Sequence, residues 1–369
     1  MATIDTQALT LLDGETLLTT LQSQAVEKRI SDIHISPDKD TIRVEWREFG
    51  VLVRLLNINR DIYDAMIRRI KFSAKLKMNV STVPQDGQYT FPFEDRSINV
   101  RTATLPTKFG EAITLRLLDP KRGIVPLADL GFPSVVEADL LALTDKPNGL
   151  ILVTGPTGSG KTTTLYSLLS LLTGKEQNII TIENPVEYEL PGIVQSQVDE
   201  SKGFTFAEGL KSILRSDPDI VLVGEIRDLE TAQTAIDASL TGHLVFATLH
   251  TNSAVEAIPR LLSMGVSSYT FAPSLRGVLA QRLVRTINPA YRSAPNEYKE
   301  KPDFYTGQNA LPELLIVTPE IETMILNQSS SHEILETVRS HGFKTMQEWG
   351  ADLVQRNVTT AEEVKRVTG

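Results

Sequence analysis

Eight consecutive residues carry the strongest chemical signal in the chain. Gly155-Pro156-Thr157-Gly158-Ser159-Gly160-Lys161-Thr162 fills every fixed position of the pattern G-x-x-x-x-G-K-[ST]. Glycines at these places let successive backbone amides converge on phosphate oxygens. Lys161 supplies charge for the β- and γ-phosphates of a nucleotide, and the Thr162 hydroxyl supplies a ligand for Mg²⁺. Both flanks agree with this reading. The apolar run 149–154 reads as a strand entering the loop, and 163–172, opening on Thr163, reads as a helix leaving it. The helix N-terminus then adds its partial positive charge. A glycine-rich turn without chemistry does not account for all four fixed positions and both flanks together.

A second element is acidic. In Asp219-Ile220-Val221-Leu222-Val223-Gly224-Glu225-Ile226-Arg227-Asp228 an apolar strand ends in the carboxylate of Glu225. Alone this says little, since strands often end in an acid. Downstream of a phosphate loop, such a carboxylate is the expected partner of the metal and its waters.

These residues need a scaffold, and the pattern of apolar residues gives one. From 134 onward, apolar strand-like runs (149–154, 178–182, 220–223, 244–249) alternate with helical segments, which predicts a mostly parallel sheet wrapped in helices. Beyond about Leu311 the pattern reads as helical through to Val367. The first third reads as α+β. Residues 11–30 place Leu17, Leu18, Leu21, Ala25 and Val26 at helical spacing, and 60–77 do the same with Ile62, Met66, Ile67 and Ile70. Short strands are expected at 32–35, 41–46 and 51–56, a turn at 84–87, and hairpin strands at 88–93, 97–102 and 112–118. A Pro/Gly-bearing stretch separates the two regions. The expected organisation is therefore an N-terminal α+β domain at 1–119, a linker at 120–133 and an α/β domain with C-terminal helices at 134–369.

Composition removes other classes. The 369 residues are 41% hydrophobic and 22% charged, as in ordinary globular domains. A net charge of −9 argues against nucleic acid as a partner. Cysteine is absent, which excludes disulfides, thiol catalysis and thiolate-held zinc. No run approaches the ~20 apolar residues of a membrane span. The first fifteen residues lack the basic start and apolar run of a signal peptide. A cytoplasmic location is expected.

The order of four boxes resembles the secretion-ATPase superfamily: type II secretion ATPases, type IV pilus assembly ATPases and pilus retraction ATPases. The phosphate loop is the first box. Thr181-Ile182-Glu183-Asn184-Pro185-Val186-Glu187 resembles the family's acidic box, 217–228 its second acidic strand, and Thr241-Gly242-His243-Leu244-Val245-Phe246-Ala247-Thr248-Leu249-His250-Thr251 its histidine box. Outside the boxes, Ser31-Asp32-Ile33-His34-Ile35 and Leu105-Pro106-Thr107 with Gly110-Glu111 look like its N-terminal domain. Ala280-Gln281-Arg282-Leu283-Val284-Arg285 and Thr359-Thr360-Ala361-Glu362-Glu363-Val364 look like its C-terminal half. The resemblance covers the chain from about Leu17 onward. It implies a PAS-like α+β domain before a RecA-like ATPase domain, ATP and Mg²⁺ as cofactors, and a homo-hexameric ring. It also implies attachment at the inner face of the membrane through an integral platform protein. By the same resemblance Glu183 is the base or orienter of the attacking water, and Glu225 acts through Mg²⁺ and its water shell. His243 and His250 sense the γ-phosphate or the interface, while Arg101 and Arg116 reach the phosphates and Arg215 is a further candidate.

Three departures qualify that expectation. Asn184 stands where the family usually has aspartate, so metal affinity or rate is expected to be lower. The four-cysteine zinc segment of assembly and type II members is missing after the Gln-Arg-Leu stretch, where Thr286-Ile287-Asn288-Pro289-Ala290-Tyr291-Arg292 continues instead. Little precedes Leu11, so the additional N-terminal domain of larger members is expected to be lacking. Length and absent zinc point towards a retraction ATPase. Arg116-Leu117-Leu118-Asp119, Asp129-Leu130-Gly131-Phe132 and Thr162-Thr163-Thr164-Leu165-Tyr166 point to the assembly and type II branch, which is the branch expected here. An ATP-binding regulator with little turnover is the alternative that Asn184 supports.

Overall fold

The first helix, Gly14–Glu27, starts where Asp13 accepts hydrogen bonds from the amides of Glu15 and Thr16, both at 3.0 Å. Its apolar stripe packs against a second helix, Arg60–Ser73, so closely that a Cβ on Gly14 would sit 2.5 Å from the carbonyl oxygen of Ile62. In this computed structural model residues 9–120 and 123–369 are described, and the chain divides into two units, Met1–Gly123 and Ile124–Gly369.

The strands of the first unit are β1 (Asp32–Pro37), β2 (Ile42–Glu48), β3 (Val51–Ile58), β4 (Gln85–Phe93), β5 (Arg96–Thr107) and β6 (Gly110–Leu118). They form one antiparallel sheet in the order β3-β2-β1-β6-β5-β4. Leu17, Leu21, Met66 and Ile70 of the helices meet Ile33, Ile35, Val100 and Leu115 of the sheet in one core. Each such side chain contributes about 1.5–3 kcal/mol by leaving water.

Two expectations shift here. The second helix ends at Ser73 rather than 77, because Lys75 takes a left-handed φ of 56°. Residues 85–87, expected in a turn, lie in β4, and the chain reverses earlier, over 74–84. Gly87 allows that close passage: a Cβ there would come within 2.6 Å of the Ala74 carbonyl oxygen.

In the second unit the strands are β7 (Gly149–Thr154), β8 (Ile179–Glu183), β9 (Val194–Gln197), β10 (Ile220–Val223), β11 (Leu244–Leu249), β12 (Leu275–Ile287) and β13 (Tyr305–Ile316). Their order is β13-β12-β7-β11-β10-β8-β9, parallel except for β13 against β12. β7, β8, β10 and β11 are buried along their whole lengths, which is why they read as continuous apolar runs. Apolar cores lie on both faces of the sheet. The 3-10 turn Leu127–Leu130 belongs to this unit, with Leu127 packed into its core.

Leu311 corrects the expected helical tail. It lies in β13, and the terminal helices begin only at Pro319–Leu326. A short apolar run does not distinguish strand from buried helix, and pairing with β12 decides it. Between β12 and β13, residues 288–304 close on themselves. The Tyr291 hydroxyl donates to Asp303 at 3.0 Å, and its ring stacks on Tyr298 at 4.7 Å. Among the described residues no helix is long and apolar enough to cross a membrane.

Candidate nucleotide-binding site

In an open parallel sheet, ligands bind beyond the carboxyl ends of the strands. At that edge β7 delivers Thr154 and the phosphate loop, β8 delivers Glu183, β10 leads into Glu225 and β11 into His250.

The loop is built on left-handed glycines. Gly155, Gly158 and Gly160 have φ of 146°, 79° and 88°. A Cβ on Gly155 would lie 2.5 Å from the Gln281 carbonyl oxygen, and one on Gly160 would lie 2.7 Å from Gln281 Nε2. Glycine is therefore required at Gly155 by space as well as by torsion, and at Gly160 by torsion. Pro156 and Thr157 carry the loop outward, and the Pro156 carbonyl accepts from the Ser159 amide at 3.2 Å. Helix Lys161–Leu172 follows directly, with Gly160 at its N-cap. Lys161 folds over the loop, its Nζ donating to the carbonyls of Gly155 (2.7 Å) and Pro156 (3.1 Å). Burial pulls the Lys161 ammonium down to about 8; the Glu225 charge opposes this shift and Arg282 adds to it.

These features fit a triphosphate. A desolvated cation is held by neutral carbonyls, and the Ser159 hydroxyl is buried without a hydrogen-bond partner beside it. The half-buried Thr162 and the Glu225 carboxylate are oxygen donors of the type a hard cation takes. Among the described residues no cluster of three acidic or histidine groups exists to hold a metal alone. Mg²⁺ binds through one or two protein oxygens together with substrate phosphates and water. Thr163, one position on, is half-buried in the first turn of the same helix.

Glu225 stands at the mouth, its carboxylate 2.6 Å from Arg227 and 3.6 Å from His250 Nε2. The His250 segment is tied to the strand that feeds the loop: the Thr251 amide donates to the Thr154 hydroxyl at 2.8 Å, and the two threonine hydroxyls are also 2.8 Å apart.

Glu183 is placed differently from Glu225. It is 4% exposed, and its carboxylate accepts from the Thr181 hydroxyl (2.6 Å), Gln195 Nε2 (3.2 Å) and the Tyr166 hydroxyl. Tyr166 lies on the helix that leaves the phosphate loop, so this bond joins the loop's helix to the end of β8. Burial and the neighbouring Glu183 charge both push the Tyr166 phenol up, which keeps it a donor.

The remaining candidates lie elsewhere. Parallel pairing sets Leu244 opposite Gly149 and Leu249 opposite Thr154, so His243 is at the opposite end of the sheet from the loop. Its Nδ1 is bonded to the Ala238 carbonyl at 2.9 Å, closing the helix before it. A γ-phosphate contact for His243 within the same chain is ruled out by that geometry. Arg215, exposed ahead of β10, is also at that far end, bonded to the Lys211 carbonyl and the Ser212 hydroxyl, both at 3.0 Å. Arg101 and Arg116 belong to the first unit, directly opposite one another on β5 and β6. Arg116 Nε donates to Asp32 at 2.9 Å, and Arg47 approaches the same carboxylate at 3.9 Å. Arg47, Asp32, Arg116 and Arg101 thus lie in one cross-strand row.

Sequence reading missed Gln281, Tyr166 and Gln195. Gln281 braces the loop, its Nε2 donating to the Ser159 carbonyl and its Oε1 accepting from the Thr164 hydroxyl, both at 2.8 Å. A glutamine set among Val278, Leu279, Ala280, Leu283 and Val284 was the available signal.

Comparison with known proteins gives the family. The family model described as "Type II/IV secretion system protein" matches residues 13–366. Type II secretion system protein E of Dickeya dadantii is 44% identical over 388 residues, covering 97% of this chain and 77% of that protein. Type II secretion system protein HxcR of Pseudomonas aeruginosa is 42% identical, covering 95% and 76%. Type II secretion system ATPase E of Vibrio cholerae is 39% identical, covering 95% and 75%. Among solved structures, the pilus retraction motor PilT with bound ADP superposes with a TM-score of 0.67 at 29% identity, covering 96% of this chain and 97% of that one. The Legionella pneumophila ATPase DotB shares the fold, with a TM-score of 0.74 at 22% identity and 96% of each chain covered. Its N-terminal domain and RecA-like domain are those of the secretion and pilus ATPases, and with the model matching almost end to end, the chain belongs to the type II/IV secretion system protein family as a P-loop ATPase.

Proposed function

We propose that this chain hydrolyses Mg-ATP as a homo-hexameric ring and uses the energy to drive pseudopilin or pilin assembly, or protein secretion, through an inner-membrane platform. It would work at the cytoplasmic face of that membrane. The observation that carries the enzymatic reading is Lys161: a desolvated cation, held by neutral carbonyls over a loop of left-handed glycines, with the Glu225 charge acting on it. The assembly or secretion branch is supported by relatives named as type II secretion proteins at 39–44% identity, against 29% to the retraction motor.

In this reading Lys161 neutralises the outer phosphates, Thr162 and Glu225 hold the hydrated metal, and His250 responds through Glu225. Glu183, occupied by three donors, orients the site rather than abstracting a proton directly. Arg101 and Arg116 supply cationic charge for phosphate, and Arg215 acts in another copy. Asn184, which is exposed, lowers the rate without abolishing it.

The test is steady-state phosphate release with Mg-ATP, alongside nucleotide affinity. Lys161→Ala should lose both binding and turnover. Glu183→Gln should keep binding and lose turnover by about a hundredfold, the scale of a misplaced reacting group. Wild-type protein that binds ATP and never releases phosphate, in any assembly state, would overturn the motor reading in favour of a nucleotide-binding regulator.

A further inference from the structure

β12 brings a second cation to the first glycine of the phosphate loop. It runs parallel to β7 with Ala280 opposite Thr154, so Gln281 and Arg282 lie alongside the loop. The Gln281 carbonyl, which a Cβ on Gly155 would meet at 2.5 Å, accepts from Arg282 Nη1 at 3.4 Å. Lys161 Nζ donates to the carbonyl of that same glycine at 2.7 Å. Two cations thus converge on Gly155.

Arg282 is held there by neutral groups. Its Nε donates to the Val367 carbonyl and its Nη2 to Asn252 Oδ1, both at 3.1 Å. Among the described residues no carboxylate is in ion-pair contact with it, and Glu313 and Glu256 act on it only from further away. A half-buried guanidinium beside an ammonium is disfavoured, and an anion placed between them relieves both. Its planar fork also matches phosphate oxygens.

We propose that Arg282 is a phosphate-contacting residue: with ATP in the loop its guanidinium turns to the terminal phosphate beside Lys161 and gives up the Val367 carbonyl. The inference rests on reading the loop as an ATP site. Val367 lies in the closing helix Ala361–Thr368, whose other tie to β12 is Glu363, bonded to Arg285. Loss of the Arg282 bond frees the C-terminal end of that helix while Glu363 still holds its start. A diphosphate lacks the group that draws Arg282 away, so the helix distinguishes ATP from ADP.

The experiment compares full-length wild type, Arg282→Gln, Arg282→Lys and Lys161→Ala. Affinities for Mg-ATPγS and Mg-ADP are measured together with hydrogen exchange across 361–368. In wild type, ATPγS should raise exchange in that helix and ADP should not. Arg282→Gln should weaken ATPγS about tenfold while ADP stays within about twofold, as expected for one charge-assisted contact. It should also abolish the ATPγS-specific exchange. Arg282→Lys keeps the charge without the fork and should fall between. Equal weakening of both nucleotides, or unchanged affinities, with rapid exchange already present without nucleotide, would reduce Arg282 to a tie on the helix and overturn the proposal. Unaltered binding in Lys161→Ala would instead overturn the loop reading, and this inference with it.

Discussion

Lys161 ties the state of one side chain to a measurable proton. Burial sets its pKa at about 8, with Glu225 opposing that depression and Arg282 adding to it. A polyanion favours the charged ammonium, so binding raises this pKa. Below pH 8 the lysine is already charged, and affinity for ATP should be flat. Above pH 8 free protein loses the proton that the complex keeps, so binding should take up a proton and affinity should fall by up to about tenfold per pH unit. Titration calorimetry in buffers of different ionisation enthalpy reads that uptake directly. Lys161→Arg, charged throughout, should show none. Uptake that is equal in the variant would assign the proton to another group.

At the scale of elements, one buried carboxylate fastens the start of the closing helix Ala361–Thr368 to β12. Glu363 is 2% exposed and accepts from Arg366 at 2.8 and 3.0 Å as well as from Arg285. Burial alone would push it up, but the bonds from Arg366 and Arg285 outweigh burial and hold it at about 2. A folded pKa below the unfolded value means stability that is complete above about pH 4.5 and is lost as pH falls towards 2. Glu363→Gln should therefore cost about 2 kcal/mol at neutral pH, the scale of hydrogen bonds to a charged group, in urea unfolding. The gap to wild type should close on acidification; a gap independent of pH would mean that the carboxylate's charge is not what holds the helix. This clamp was only partly legible in the sequence. The phosphate loop is local, so strand, glycines, lysine and helix appear in order within 149–172. β12 is not local: Gln281, Arg282 and Arg285 interrupt its apolar run, and only pairing with β7 and β13 makes it a strand. Glu183 shows the same limit from the other side, since its donors come from three separate places, Tyr166, Thr181 and Gln195. A motif names the acid, and the fold chooses what surrounds it.

At the scale of the whole molecule, Arg215 has a consequence that single-chain chemistry does not supply. It is exposed and lies at the end of the second unit's sheet opposite the phosphate loop. β11, the strand separating those ends in register with β7, is six residues long, and at about 3.3 Å per residue that distance exceeds any arginine's reach. If Arg215 serves a phosphate, that phosphate is bound by another copy. Turnover per chain should then rise with protein concentration and level off where assembly is complete, as read by phosphate release beside sedimentation of the same samples. Arg215→Gln should remove that rise while leaving nucleotide affinity at low concentration unchanged, because the loop's own groups remain. Specific activity that stays flat while larger particles form would show that each chain completes its site alone, and would withdraw both Arg215 and the ring from the chemistry.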